Sequence, residues 1–375
     1  MKKLLSLMLS LVLVVTLVAC GEKKAPQDNN KKETKMEDKK ETKMEDKKDD
    51  AKTSTERKPA KSEGEIVKFG LGTSVGLSAK PLKDGKGEAT SNVTIAGLAF
   101  DKDGKIVEAY IDVAQSKFAV KDDGTFAKKP AEVQFMTKQE LQEKYGMKKA
   151  SKIQKEWFEQ AEAFQKYILG KTAEQVLGIE TAKKDDHHLN VPTQADLVSS
   201  VTIDIGGFQK AVKAAWDNAV EVKGAKNLGL GVATTLGHGT KEAKDDKGAS
   251  VQFETTVALT ATDDKGVVVK TVIDNAQNTV AFNKDGSVMT DLKQPGTTKK
   301  ALGDKYDMKK ASKIGKEWFE QVQGLEKFAE GKTADQLAGL KLEKGKATDA
   351  DLLASTTITV EGLIKTLVSS IKTAK

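Results

Sequence analysis

The sequence predicts an α+β fold made of two tandem copies of one domain. Three observations carry this expectation. Residues 145–160, YGMKKASKIQKEWFEQ, return as YDMKKASKIGKEWFEQ over 306–321, with fourteen of sixteen positions identical. The repeat extends on both sides, at a period near 155–160 residues, too long for a solenoid unit and suited to whole domains. Within each copy, strand-like segments come first, helical ones follow, and a terminal strand and helix close the unit, which differs from an alternating βαβ order.

Each element follows from periodicity. Residues 93–100 and 106–113 flank Asp101-Lys102-Asp103-Gly104 and read as a hairpin; residues 255–261 and 267–273 flank Asp263-Asp264-Lys265-Gly266 and read as its counterpart. Ile111-Asp112-Val113-Ala114-Gln115 matches Ile273-Asp274-Asn275-Ala276-Gln277. Ala150, Ile153, Trp157, Ala161, Phe164 and Ile168 recur every three or four residues, as do Ala311, Ile314, Trp318, Val322, Leu325 and Phe328. Both series predict a helix with one buried face. Gly170 and Gly331 end these helices, and Thr172 with Gln175, and Thr333 with Gln336, form capping boxes for a short next helix. Phe208, Val212 and Trp216, matched by Leu363, Leu367 and Ile371, mark a last amphipathic helix. The copies are placed at 65–222 and 225–375.

Composition narrows the function. The chain has 375 residues, 38% of them apolar, and 31 glycines, enough for a real core. One cysteine excludes a disulfide framework, a zinc ribbon and a Cys-pair redox site. Three histidines leave little for a metal site, and none is expected. The formal charge of +7 comes from 62 basic against 55 acidic residues, and Arg57 is the only arginine. Lysine lacks the planar fork that reads phosphates and bases, and 5% aromatics are too few for base stacking, so no nucleic acid is expected as a partner.

The amino terminus reads as an address. Met1, Lys2 and Lys3 precede an apolar run over 4–19, which reads as a secretory signal peptide, 1–19. Leu17-Val18-Ala19-Cys20 resembles the lipobox of bacterial lipoproteins, which implies cleavage before Cys20, lipidation there, and a lipid-anchored chain on the extracytoplasmic face of a cell membrane. Residues 20–64 are then a lipidated cysteine and a disordered spacer. From 21 to 64 they hold no aromatic residue and, before Ile66, no Leu, Ile or Val, while KKETKMED occurs twice, at 31–38 and 39–46. A flexible chain of that length spans about 35–40 Å.

Several motifs offer chemistry and fail on closer reading. Gly-Lys-Thr at 170–172 and 331–333 lacks the upstream glycine of a phosphate loop, since Gln165 and Glu326 stand there. Gly70-Leu71-Gly72 and Gly229-Leu230-Gly231 read as strand-end glycines, His187 and His188 as surface residues, and Trp157 and Trp318 as core. No catalytic set emerges. The terminal segment is different. In Asp196-Leu-Val-Ser199-Ser200-Val201-Thr202 and in Asp351-Leu-Leu-Ala354-Ser355-Thr356-Thr357, threonine stands six residues after aspartate and just before a helix. A helix N-terminus offers free N–H groups and a positive dipole end, which suit a phosphate; a plain capping role for the Ser/Thr cluster is the alternative.

This segment resembles the flavinylation motif of the FMN-binding domain family, which includes subunits of sodium-pumping quinone reductases and of related membrane electron-transfer complexes. The family pattern is Asp, then Ser-Gly-Ala-Thr, then a helix, and the threonine carries FMN through a phosphodiester installed by an FMN transferase. The resemblance implies covalent FMN on Thr202 and on Thr357, two in all, with Asp196, Ser199, Ser200, Asp351 and Ser355 as motif context. The sequence departs at Ser200 and Ser355 for glycine, Val201 and Thr356 for alanine, and Ala354 for serine. With two such domains on a lipid anchor, the chain resembles the flavin-carrying lipoproteins of Gram-positive extracellular electron transfer. That implies an electron carrier more than an enzyme with its own substrate site. Its partners would be the transferase, a membrane quinone-linked dehydrogenase as donor, and extracellular acceptors. The competing expectation is a cofactor-free binding or adhesive lipoprotein. Residues 12–19, once released, also resemble short apolar sex pheromones.

Overall fold

The computed structural model describes residues 57–374. The signal segment, Cys20 and the spacer up to residue 56 lie outside the described residues. The chain is mixed α+β, as expected. The first half comprises β1 (Ala60–Lys61), β2 (Lys68–Lys80), β3 (Glu88–Phe100), β4 (Ile106–Ala119), α1 (Lys138–Leu141), α2 (Trp157–Ile168), α3 (Ala173–Leu177), β5 (Thr181–Ala182), β6 (Val191–Pro192), α4 (Ala195–Val198), α5 (Gly206–Asp217) and β7 (Val220–Glu221). The second runs β8 (Asn227–Leu236), β9 (Ser250–Thr262), β10 (Val268–Ala281), α6 (Lys299–Leu302), α7 (Trp318–Ala329), α8 (Ala334–Ala338), β11 (Leu342–Glu343), β12 (Lys346–Ala347), α9 (Ala350–Leu353) and α10 (Glu361–Thr373).

Two antiparallel sheets dominate, ordered β1-β4-β3-β2-β7 and β10-β9-β8. Alternation along β3 explains the layers. Ala96, Leu98 and Phe100 face the helices α2 and α5, whereas Val93, Ile95 and Ala99 face the other sheet. There they meet Leu228, Leu230, Val257, Leu259 and Ala261 in one shared apolar layer. The second sheet is covered on its outer face by α7 and α10 through Ile273, Trp318, Val322, Leu363 and Leu367. The order is therefore helices, sheet, sheet, helices. With both faces covered, Ile95 to Phe100 and Thr255 to Thr262 are buried at every residue.

The predicted hairpins, capping boxes and helix-ending glycines are all present. Gly170 and Gly331 adopt φ of 74° and 76°, and both Thr-Gln capping boxes are closed. Four expectations change. First, Gly70, Gly72, Gly229 and Gly231 do more than end strands. A Cβ on Gly72 would lie 1.9 Å from the carbonyl oxygen of Ala211, and one on Gly231 2.1 Å from that of Thr366. These glycines let α5 and α10 lie directly on the sheets. Second, the central helices start at Trp157 and Trp318, later than the apolar stripe suggests. The Glu156 carboxylate accepts the N–H groups of Met147 and Lys148 at 2.7 and 3.0 Å, so the preceding loop folds around the helix start. Third, no strand forms over 199–203; a short helix, α4, and an irregular turn lead into α5. Trp216, one of the residues that mark the last amphipathic helix, is 40% exposed and rests edge-on against Phe100.

Fourth, the spacer ends earlier than residue 64. Residues Ala60–Lys61 pair with Glu108 and Ala109 at the edge of β4. Arg57, the only arginine, is 6% exposed. Its Nε lies 2.7 Å from Asp112 Oδ2 and its Nη2 2.7 Å from Glu140 Oε1, and it donates to Thr137 Oγ1 at 3.4 Å. The composition of the segment is that of a spacer, but one bidentate-capable cation against two carboxylates is enough to hold it on the fold. In the second half, Lys300 at the position of Gln139 pairs with Glu326 at the position of Gln165 (2.6 Å), and no arginine meets Asp274.

Between the sheets, Glu108 Oε2 accepts the Leu228 N–H at 3.2 Å and Tyr110 Oη donates to the Leu228 carbonyl at 3.0 Å. Burial pushes the Glu108 carboxyl up to about 7, against the pull of Lys61. Below the unfolded-state value of 4.5 the group is neutral in both states. As pH rises to 7 the unfolded chain releases the proton first, so stability should fall across that window, by about 3 kcal/mol at most. Urea unfolding of Glu108→Gln should lack this slope. Gly72→Ala and Gly231→Ala should each cost about 3 kcal/mol or more, read by the same method, because helix backbone blocks the added methyl.

Candidate functional site

The two halves repeat one arrangement where the terminal segment meets the central helix. Gln160 on α2 and Gln321 on α7 are wholly buried. Gln160 Nε2 donates to Ser151 Oγ and to the Lys155 carbonyl at 3.2 and 3.3 Å. Gln321 Nε2 donates to Ser312 Oγ and to the Lys316 carbonyl, both at 3.1 Å. A carbonyl can only accept, so these contacts fix which end of each amide is nitrogen. The oxygens then point at the two candidate threonines. Gln160 Oε1 accepts Thr202 N–H at 2.8 Å and Thr202 Oγ1–H at 3.3 Å. Gln321 Oε1 accepts the same groups of Thr357 at 2.9 and 3.2 Å. Each hydroxyl thus donates its O–H in a hydrogen bond to a buried amide oxygen and keeps its lone pairs. Both threonines are half-buried.

The hydroxyls do not cap the following helices. The N-cap residues are Ile205 and Val360, three positions further on. Asp204 Oδ1 takes the Gly206 N–H at 2.8 Å instead. The rest of the predicted context is brought near but plays local roles. Ser200 Oγ and Ser355 Oγ each donate to the carbonyl three residues back, at 3.2 Å, closing α4 and α9. Ser199 is exposed at the end of α4. Asp196 and Asp351 are exposed in the first turns of α4 and α9, and Asp196 Oδ1 lies 3.5 Å from Tyr167 Oη. His188 is a surface residue paired with Asp185 at 2.8 Å.

Thr357 opens on a cleft of about 670 Å³, whose wall includes Trp318, Tyr306, Lys299, Asn275 and Gln277. Trp318 is 4% exposed, so it belongs to the core and the cleft wall at once. Lys299 Nζ sits 5.3 Å from the ring centres of both Tyr306 and Trp318. In the first half Lys138 holds the same place over Tyr145 and Trp157, at 4.7 and 5.2 Å. Burial pushes Lys138 down to about 8 and lowers Lys299 as well. Tyr306 Oη donates to Gln277 Oε1 at 2.9 Å, and Tyr145 Oη to Gln115 Oε1 at 3.3 Å. The lysines and glutamines were missed from sequence. The glutamines close the sixteen-residue repeat, yet on a helical wheel they look like spare polar positions beside an apolar stripe.

Among the described residues, no three His, Cys, Asp or Glu side chains gather to hold a metal ion, and no helix is long and apolar enough to cross a membrane. No protein-family model, curated protein or solved structure matches the chain.

Replacing Gln160 or Gln321 by leucine leaves a threonine N–H inside the fold without its acceptor. Each variant should lose about 1–3 kcal/mol in urea unfolding.

Proposed function

We propose that this chain is a lipid-anchored, extracytoplasmic flavoprotein of the FMN-binding domain type. In this reading its two halves are tandem domains, at 65–222 and 225–375, extended in the first by the segment from Arg57. Thr202 and Thr357 each carry FMN through a phosphodiester installed by an FMN transferase, and Cys20, outside the described residues, carries the lipid. The chain takes electrons from a quinol-linked membrane donor and hands them to extracellular acceptors. It acts as a carrier and has no substrate site of its own.

One observation carries the reading: threonine at Asp plus six binds a buried glutamine with both its N–H and its hydroxyl, in the same way in both halves. A hydroxyl whose O–H is hydrogen-bonded to a fixed amide is held in place with its lone pairs left for attack at phosphorus; the amide is no base, so the proton lost on ester formation passes to the transferase. The neighbouring hydroxyls are less suited. Thr356 Oγ1 is buried and donates to the Gln321 carbonyl at 2.6 Å, and Thr359 stands exposed.

The cleft residues fit FMN. The volume lies in the range of small-molecule sites. Trp318, Tyr306 and Met308 offer apolar walls to a flat ring, and Lys299, Lys313 and Lys346 offer positive charge. Gly362 and Leu363, in the first turn of α10, place a helix N-terminus on the same cleft, suited to a phosphoryl group. When bound, FMN supplies the electron chemistry; the protein supplies position, polarity and exclusion of water. A covalent link also explains how a fold whose only arginine is spent on Asp112 and Glu140 retains a phosphorylated ligand.

Intact-mass measurement on protein from a host with the transferase should show two FMN additions, each less one water. Thr202→Val and Thr357→Val should each remove one, and the double variant both, with folding retained. No mass increase in the unaltered protein would sink the reading. Flavin mapped to Ser199, Thr356 or Thr359 would refute the Asp-plus-six register.

A further inference from the structure

The matching residues of β4 and β10 differ at one position inside the cleft. Ile111-Asp112-Val113-Ala114-Gln115 in the first half stands against Ile273-Asp274-Asn275-Ala276-Gln277 in the second. Val113 belongs to the apolar layer beneath α2 and α5. Asn275 occupies the corresponding place in the second half and is only 3% exposed. On a strand, residues 273, 275 and 277 share one face. Ile273 packs in the same apolar cluster as Trp318, and Gln277 holds the Tyr306 hydroxyl, so Asn275 lies between them on the cleft wall. Its Nδ2 donates to Thr256 Oγ1 at 2.9 Å. Its Oδ1 is buried and has no hydrogen-bond partner among the described residues.

A buried acceptor left unpaired is costly, and native folds rarely keep one without a use. Here the idle acceptor lies on the wall of a ligand-sized cleft whose aromatic walls suit a flat ring. The group that fits is a planar heterocycle with an N–H on its edge. Oxidised isoalloxazine has one ring N–H, at N3, flanked by two carbonyls, and Lys299 on the same wall is the kind of donor those carbonyls require.

We propose that Asn275 is the specificity-determining residue of the second cleft: its Oδ1 accepts the N3–H of the flavin ring, and the first half, with Val113, lacks this contact. The proposal rests on the flavin reading above. It adds that the two sites are unequal, the second recognising the ring edge and the first holding its ring by attachment and apolar contact.

The test uses full-length protein made without the transferase, so that no ring is attached. FMN and its N3-methyl derivative are titrated in turn, followed by quenching of flavin fluorescence and by equilibrium dialysis. The unaltered protein should bind FMN at the second site about tenfold more tightly than the methylated probe, the effect of one lost hydrogen bond. Asn275→Val should weaken FMN by the same factor and abolish the discrimination. Valine is what the first half carries there, so the fold should persist, as far-UV circular dichroism would verify. Equal affinity for the two probes in the unaltered protein, or no saturable FMN binding, would overturn the proposal without any variant. Discrimination that survives in Asn275→Val would overturn it as well. Two FMN additions in the mass experiment combined with equal probe affinities would remove Asn275 alone. Probe discrimination combined with no covalent flavin would keep ring recognition and remove the attachment.

Discussion

The apolar layer between the two sheets sets the terms for everything else. Each sheet has helices on one face, so its other face needs a cover too, and the second sheet supplies it. Phe69, Ile95, Tyr110, Leu228, Leu230 and Leu259 meet there. The halves are therefore coupled through a common core. Val222 and Ala225, which bracket the two-residue join, are themselves part of it. Phe135 against Phe253, with ring centres 6.0 Å apart, extends the contact to the rim. Burial on both faces also explains why the central strands lack the in-out alternation of a one-sided sheet.

The site inherits its geometry from that sandwich. Lys138, Gln160 and Thr202 are far apart in the chain, as are Lys299, Gln321 and Thr357. They converge because α2 and α7 are pressed onto the sheets by Trp157, Phe164, Trp318 and Leu325, and because Glu156 and Glu317 tie the preceding loops to the helix starts. A rigid helix then presents one buried glutamine to the turn that follows α4 or α9. The turn is irregular, so its backbone N–H needs a side-chain acceptor, and the glutamine provides one. Positioning of the hydroxyl follows from satisfying a buried amide.

The halves share a backbone plan and differ in polar content. Asp112 is met by Arg57 from the chain preceding the first sheet, whereas around Asp274 the charge arrives on α6 as Lys300, paired with Glu326. Burial raises both the Asp274 and Glu326 carboxyls. Near the lysines that lie over aromatic rings, Gln115 donates to Asn92 in the first half, and Gln277 donates to Glu254 in the second. Such exchanges change which charged and polar side chains meet the matching strand positions. Two halves with a similar order of elements carry different charge pairs in this way.

The amino-acid sequence by itself determined the class of fold, the two hairpins, the central helices, their stop signals and caps, and the pair of threonines at matched spacing. These rest on local rules: alternation, helical period, the conformational freedom of glycine and side-chain caps within one turn. The tertiary structure alone decided the rest. A sequence spaced like a solvated tether gave no sign that Arg57 would reach Asp112, since that pairing spans 55 residues. The glycines of β2 and β8 looked like punctuation until helices were seen lying on them. The threonines looked like caps because Ser and Thr before a helix usually are, but Gln160 and Gln321, distant in sequence, won their N–H and hydroxyl groups. Asn275 resembled any polar residue in a strand, and only burial on the cleft wall left its oxygen without a partner among the described residues. Hydrogen bonds and ion pairs of this kind depend on which distant surfaces the apolar core brings together, and periodicity within one segment carries no record of that.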